Sequence, residues 1–123
     1  MGEEGRLGEN MKKKKSSLLN EHKEFIIFLS KLSPLKRSKL IDLLTRGHLD
    51  CIAEICKNFL RKNLTDDLKT VRRLKKYEGE IRAISRKNTP IHKKKHILSS
   101  KRGGSILSLL LPLASSLISS LIL

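Results

Sequence analysis

Between residues 16 and 87 the apolar positions recur at helical spacing, in four stretches separated by short polar breaks. After Ser16-Ser17, a first stripe runs through Leu18, Phe25, Ile26, Leu29 and Leu32, with His22 on the same face. Ser33-Pro34 ends it and opens the next helix, since Ser caps well and Pro is tolerated at the first helical position. That second helix is expected to bury Leu40, Ile41, Leu43 and Leu44 and to stop at Gly47, a residue suited to the position past a helix end. The third places Ile52, Ile55, Cys56, Phe59 and Leu60 on one face, leaving Glu54, Lys57, Arg61 and Lys62 for solvent. Thr65 reads as the N-cap of the fourth, with Asp66 and Asp67 favourable at the positive end of its dipole. Leu68, Val71, Leu74, Ile81 and Ile84 carry that helix to about residue 86, and Gly79 is the point that would bend or divide it. The pattern predicts an all-α fold, a bundle of about four helices near the size at which one core is marginal.

The flanks follow other rules. Residues 1–15 are polar, glycine-rich and end in Lys12 to Lys15, which predicts a disordered basic arm. Asn88-Thr89-Pro90 should stop the last helix, so residues 88–104 read as a basic linker and residues 105–123 as a separate apolar tail helix, with Gly103-Gly104 expected to decouple the tail from the bundle. The 123-residue chain has 27 Lys and Arg against 12 Asp and Glu, a formal net charge of +15. Such self-repulsion calls for a polyanionic partner, nucleic acid or an anionic membrane surface.

The positive charge is concentrated toward the C-terminal half. The fourth helix presents Lys69, Arg72, Arg73, Lys75 and Lys76. From Ile81 onward no acidic residue occurs, and Arg82, Arg86, Lys87, Lys93, Lys94, Lys95, Lys101 and Arg102 stand unopposed. These thirteen cations are the candidate phosphate-binding residues. The chain has no Trp, one Tyr and three Phe, too few to stack bases, so contacts should go to backbone phosphates and be independent of sequence. If ~8 of these cations meet duplex phosphates, log K falls with log salt at a slope of about −7. The runs at 12–15, 72–76 and 93–95 also match short nuclear-import signals.

Candidate chemistry is sparse. Cys51 and Cys56 lie at i, i+5 and point about 140° apart on a helix, so they cannot pair there. The opening residues have no apolar run, and a reducing cytosolic or nuclear setting is the expectation. His48 and Cys51 are two ligands where a zinc site needs more, and His92 and His96 flank three lysines that would repel a metal. Paired carboxylates, a Ser/His/Asp set, a P-loop and a dinucleotide fingerprint are missing from the sequence. A non-enzymatic protein without cofactor or metal is expected.

From Gly103 to the last residue there is no charge, and the stretch from Ser105 would span about 28 Å as a helix, close to the hydrocarbon thickness of a bilayer. Its serines (105, 108, 115, 116, 119 and 120) share an arc of about 140°, with Leu and Ile opposite. Such a two-faced helix could lie in a membrane interface, self-associate through small-residue pairs or lie against protein partners before release; the competing reading is that it packs on the bundle as one more core element. Ile106, Leu107, Leu110, Leu111, Leu113, Leu117, Ile118 and Leu121 would form its membrane or partner face.

The ending also resembles a known family. A basic tract leading into Arg102-Gly103-Gly104, then Ile106-Leu107 and Leu110-Leu111-Pro112-Leu113, is similar to the end of adenovirus core protein X, the precursor of the mu peptide. Related proteins are expected in adenovirus-like Polinton (Maverick) elements and adintoviruses. The likeness covers residues 94–118; the upstream helices have no counterpart there, lysine replaces arginine, and Ser105 is inserted after the glycines. It implies a minor virion protein of virion and host nucleus that condenses double-stranded DNA, has a membrane-active tail and meets capsid proteins. It also implies a processing site at Gly103-Gly104, although Lys101 stands where the maturation protease takes an aliphatic residue. A second reading is a tail-anchored membrane protein whose helical domain binds a protein partner, with Lys93 to Arg102 as the positive-inside flank, and a third is a host nuclear protein without a virion role.

Overall fold

A computed structural model describes residues 22–62 and 65–122, with side chains as far as Ser116. The expected arm at 1–15, the start of the first stripe at Leu18, and the side chains of Leu117, Ile118 and Leu121 lie outside the described residues. Among the described residues the fold is all-α, with seven helices, one 3-10 turn and no strand.

Helix α1 (Lys23–Lys31) buries Ile26 and Leu29 completely. Leu32 and Ser33 are extended, as the residue before a proline tends to be, and Ser33 Oγ accepts the Lys36 N–H at the start of α2 (Pro34–Leu40). The chain then tightens into a 3-10 turn, Ile41–Leu43. Tightening changes which side chains face inward: Ile41 and Leu44 are buried, but Leu43, expected in the core, is 74% exposed.

Gly47 does not end a helix. It is the second residue of α3 (Arg46–Leu60), which Thr45 starts through a reciprocal capping box. Thr45 Oγ1 accepts the His48 N–H at 3.3 Å, and His48 Nδ1 accepts the Thr45 N–H at 3.2 Å, filling the role usually held by Glu. Helix α3 is the centre of the fold, with residues 51–56 all buried. Glu54, expected on the solvent face, is buried because neighbouring helices cover that side of α3 too. The helix ends as Lys62 takes a left-handed φ of 61°, its N–H donating to Phe59 O.

The stripe expected to form one helix over 68–86 is two. Helix α4 (Leu68–Lys75) and α5 (Glu78–Ser85) are separated at Lys76-Tyr77, ahead of Gly79, which sits inside α5. Asp67, two residues beyond the expected cap, is the N-cap of α4; its carboxylate accepts the Thr70 hydroxyl, which holds its pKa below the usual carboxylate range. Leu74, Ile81 and Ile84 are buried, whereas Leu68 is left exposed on the first turn of α4.

Residues 88–104 are not a linker. Pro90 starts α6 (Ile91–Ser99), which buries Leu98 and the side chain of Lys94. The aliphatic stem of Lys94 fills a core-facing position. One extended residue, Ser100, then turns the chain into α7 (Lys101–Ile122). Ser100 Oγ accepts the Gly103 N–H at 3.1 Å and so caps the new helix.

The tail is likewise not a separate element. Helix α7 packs chiefly against α1 and α6, and Ile106, Leu107, Leu110, Leu111 and Ala114 are buried in the common core, with Leu113 partly buried beside them. Of the serines expected on one polar face, Ser105 and Ser116 are exposed, Ser108 and Ser115 are half-buried, and the side chains of Ser119 and Ser120 lie outside the described residues; the apolar face meets the protein's own helices. The two glycines, taken as a decoupling joint, include the tightest crossing in the fold: a Cβ on Gly103 would lie 2.0 Å from Ile97 O and 2.6 Å from Leu98 Cα. Among the described residues no helix is long and apolar enough to cross a membrane.

Candidate nucleic-acid interface

The folding of α6 and α7 back onto the bundle creates a groove of about 670 Å³. One wall is the start of α2 (Pro34, Leu35, Ser38), a second is the end of α4 and its turn (Arg73, Lys76, Tyr77), and the third is the α6–α7 corner and first turns of α7, from Ser99 to Leu109. Ser38 Oγ donates to Ser99 O at 3.2 Å and ties α2 to that corner. Among the described residues no carboxylate lines the groove, while Arg73, Lys76 and Lys101 do.

Convergence of these three cations is a tertiary effect. Arg73 and Lys76 were expected on one helical face, and Lys101 on a linker remote from it; the α6–α7 hairpin carries Lys101 across to them. Lys69, Arg72 and Lys75 are exposed on α4 but are not lining residues of the groove, and Arg86, Lys87 and Lys93 are exposed on the α5–α6 turn and on α6.

Four expected phosphate-binding residues are engaged elsewhere. Arg82 pairs with Glu78 at 2.7 Å along α5. Arg102 meets Glu80 at 3.0 Å, donates to Lys76 O at 3.0 Å and lies 4.9 Å over the Tyr77 ring. It satisfies a carbonyl freed where α4 stops; the bond with Glu80 raises the Arg102 pKa and lowers that of Glu80. Lys95 donates to Asp42 O at 2.9 Å, fastening α6 to the 3-10 turn. Lys94 is 5% exposed, and burial pushes its pKa down.

The buried Arg37 is a residue that sequence reasoning passed over. It is 5% exposed, donates from Nε to Leu32 O at 3.1 Å and from Nη2 to Ser108 Oγ at 3.1 Å. Its Nη1 is buried without a hydrogen-bond partner among the described residues, and burial lowers its pKa. Because Ser108 uses its oxygen to accept from Arg37, its own hydroxyl proton remains to donate at the groove wall. No local pattern distinguishes this arginine from the other cations of α2; only the position of Ser108, 71 residues away, reveals its role.

Other candidate chemistry is accounted for by packing. His48 stacks on Phe25 with ring centroids 4.0 Å apart and takes part in the α3 cap. Cys51 and Cys56 are buried free thiols, both pushed up to about 12 by desolvation, so neither is a thiolate near neutrality. Among the described residues no group of three or more His, Cys, Asp or Glu side chains could hold a metal ion. Glycines 103 and 104 lie in the first turn of α7, Gly103 buried. Comparison with protein-family models, with curated proteins and with solved structures finds no match to this chain.

Proposed function

We propose that the protein is a non-enzymatic DNA-binding protein that neutralises backbone phosphates without reading sequence. The observation that carries this reading is the meeting of Arg73, Lys76 and Lys101, from chain segments 25 residues apart at the nearest, on one groove where no acid stands among the described lining residues. Lys69, Arg72 and Lys75 extend the same basic surface along α4. A net charge of +15 supplies long-range attraction to a polyanion. With Arg82, Lys94, Lys95 and Arg102 engaged within the protein, about six cations remain on this face, and the expected salt slope becomes about −5.

The likeness of the C-terminal region to adenovirus core protein X supports a virion core or minor capsid role in an adenovirus-like virus or element. The membrane-active tail and the processing site in that likeness sit differently here. The apolar face of α7 is in the core, so membrane or capsid contact through Ile106 to Leu111 requires the core to open first. A cut after Gly104 would sever the helix that completes the core. The proposal is tested by fluorescence anisotropy of the full chain on several unrelated duplexes. Affinities equal within a factor of about three across sequences, falling steeply with salt, are expected; a preference for one sequence or a flat salt response would overturn it.

A further inference from the structure

We infer that the groove between α2, α4 and the α6–α7 corner is a discrete seat for a single phosphodiester, taking one backbone phosphate at its cationic end and the apolar face of the attached sugar at the other. The inference rests on the DNA-binding reading and deepens it: most of the basic surface binds diffusely, but this part of it is shaped. Three independent features point to an anion here.

The first is charge. Arg73, Lys76 and Lys101 line the groove, with no carboxylate among its described lining residues. The second is the start of α7, a helix of 22 residues whose first turn, including Gly104 and Ser105, faces the groove with the positive end of its dipole. The Gly103 and Gly104 N–H groups are already held by Ser100, which leaves the Ser105 hydroxyl as an exposed donor on this turn. The third is Arg37, 5% exposed, which lies behind the groove wall, donates from Nη2 to the lining residue Ser108, and keeps an Nη1 amino group without a hydrogen-bond partner among the described residues. A buried cation lacking a counter-charge is costly, and a phosphate lying against Ser108 would offset that cost. The remaining lining, Pro34, Leu35, Tyr77 and Leu109, is apolar, with Leu35 69% exposed and therefore open to a sugar. One face of Tyr77 is already covered by Arg102, so base stacking on it is not part of the design.

The test uses thymidylyl-3′,5′-thymidine, which has one phosphodiester, titrated into the full chain and followed by amide NMR shifts. Saturable shifts confined to residues 33–38, 73–77 and 99–109 are expected. Ser105→Glu, which adds a carboxylate at an exposed helix start where Glu is well tolerated, should weaken the dinucleotide by about tenfold. Lys101→Gln should weaken it as well, and Lys69→Gln should leave it unchanged while lowering duplex affinity. Duplex binding without saturable dinucleotide binding in the groove would overturn the seat and leave the DNA-binding reading standing. Dinucleotide binding in the groove without duplex binding would overturn the DNA-binding reading and leave the seat. Displacement of the dinucleotide by phosphatidylglycerol vesicles more readily than by duplex would overturn the assignment of the groove to nucleic acid.

Discussion

Replacing Gly103 with alanine adds a single methyl group at the place where α7 passes closest to α6. That methyl carbon would sit 2.0 Å from Ile97 O, 2.6 Å from Leu98 Cα and 2.7 Å from Leu98 C. All three atoms belong to the α6 backbone, so no side-chain rotation relieves the clash. Restoring an ordinary separation from the carbonyl requires α7 to move by about 1 Å relative to α6, in an interior packed as densely as an organic crystal. Such a movement disturbs the seats of Leu98, Ile106, Leu107 and Leu110, each at most 1% exposed. Overpacking of this kind costs about 3 kcal/mol, the upper end of its usual range. For a domain of this size that lowers Tm by roughly 12 to 20 °C. Gly104→Ala is the matched control, since its added carbon finds only Pro34 Cβ, at 4.0 Å. Being inside a helix, it should be neutral or stabilising by up to about 1 kcal/mol. Thermal and urea unfolding followed by circular dichroism measure both variants. If both substitutions shift Tm by the same small amount, the glycine pair is a flexible joint after all and the packed corner described above is wrong.

Three further outcomes follow from the same packing. Removing residues 105–123 takes four fully buried large side chains from the core, roughly 1.5–3 kcal/mol each and together comparable to the whole stability of a domain; residues 1–104 should lose cooperative unfolding and amide dispersion in NMR, and a well-dispersed spectrum would contradict the placement of α7. His48 has its pKa held below its ordinary value of 6.5 by desolvation, with the neighbouring His22 adding to the effect. The folded state therefore binds that proton less readily than the unfolded chain, so the contribution of neutral His48 is intact above pH 6.5 and is lost as pH falls through the folded-state value. Tm should drop between pH 7.5 and 5, and His48→Gln, which keeps a capping acceptor, should flatten that drop; an equal drop in the variant would exclude His48 as its source. Cys51 and Cys56, buried with pKa values about 12, should react with a thiol reagent only on unfolding, and rapid labelling of the native protein would place them at the surface.

What could be read from the residue order was what depends on near neighbours. Ser33-Pro34 marks a helix boundary by cap and φ restriction alone, and the stripe from Ile52 to Leu60 gives the central helix with its inward face. Gly47 misled because a glycine near a helix end suits both a stop and a first turn, and the deciding bond, His48 Nδ1 to Thr45 N–H, needs an unusual acceptor at that position. Helix α6 was hidden by charge: Lys94 occupies a core position with its stem, so a period sought among apolar residues skips it. In the tail, serine spacing marks Ser105 and Ser116 as outward, but what covers the apolar face is not in the local pattern: Gly-Gly suits slack and a close crossing alike, and Gly103 permits the crossing. The groove was beyond reach from the sequence. Its cations and the Arg37-Ser108 bond come together only through contacts between distant segments.

The central claim is that the α4 face and the groove together bind DNA phosphates, and a salt titration of full-length protein on a short duplex tests it most directly. The native chain should give a log K against log salt slope of about −5, and the variant carrying Arg73→Gln, Lys76→Gln and Lys101→Gln a slope of about −3. A slope near zero for the native chain, or the same slope for both proteins, would contradict it.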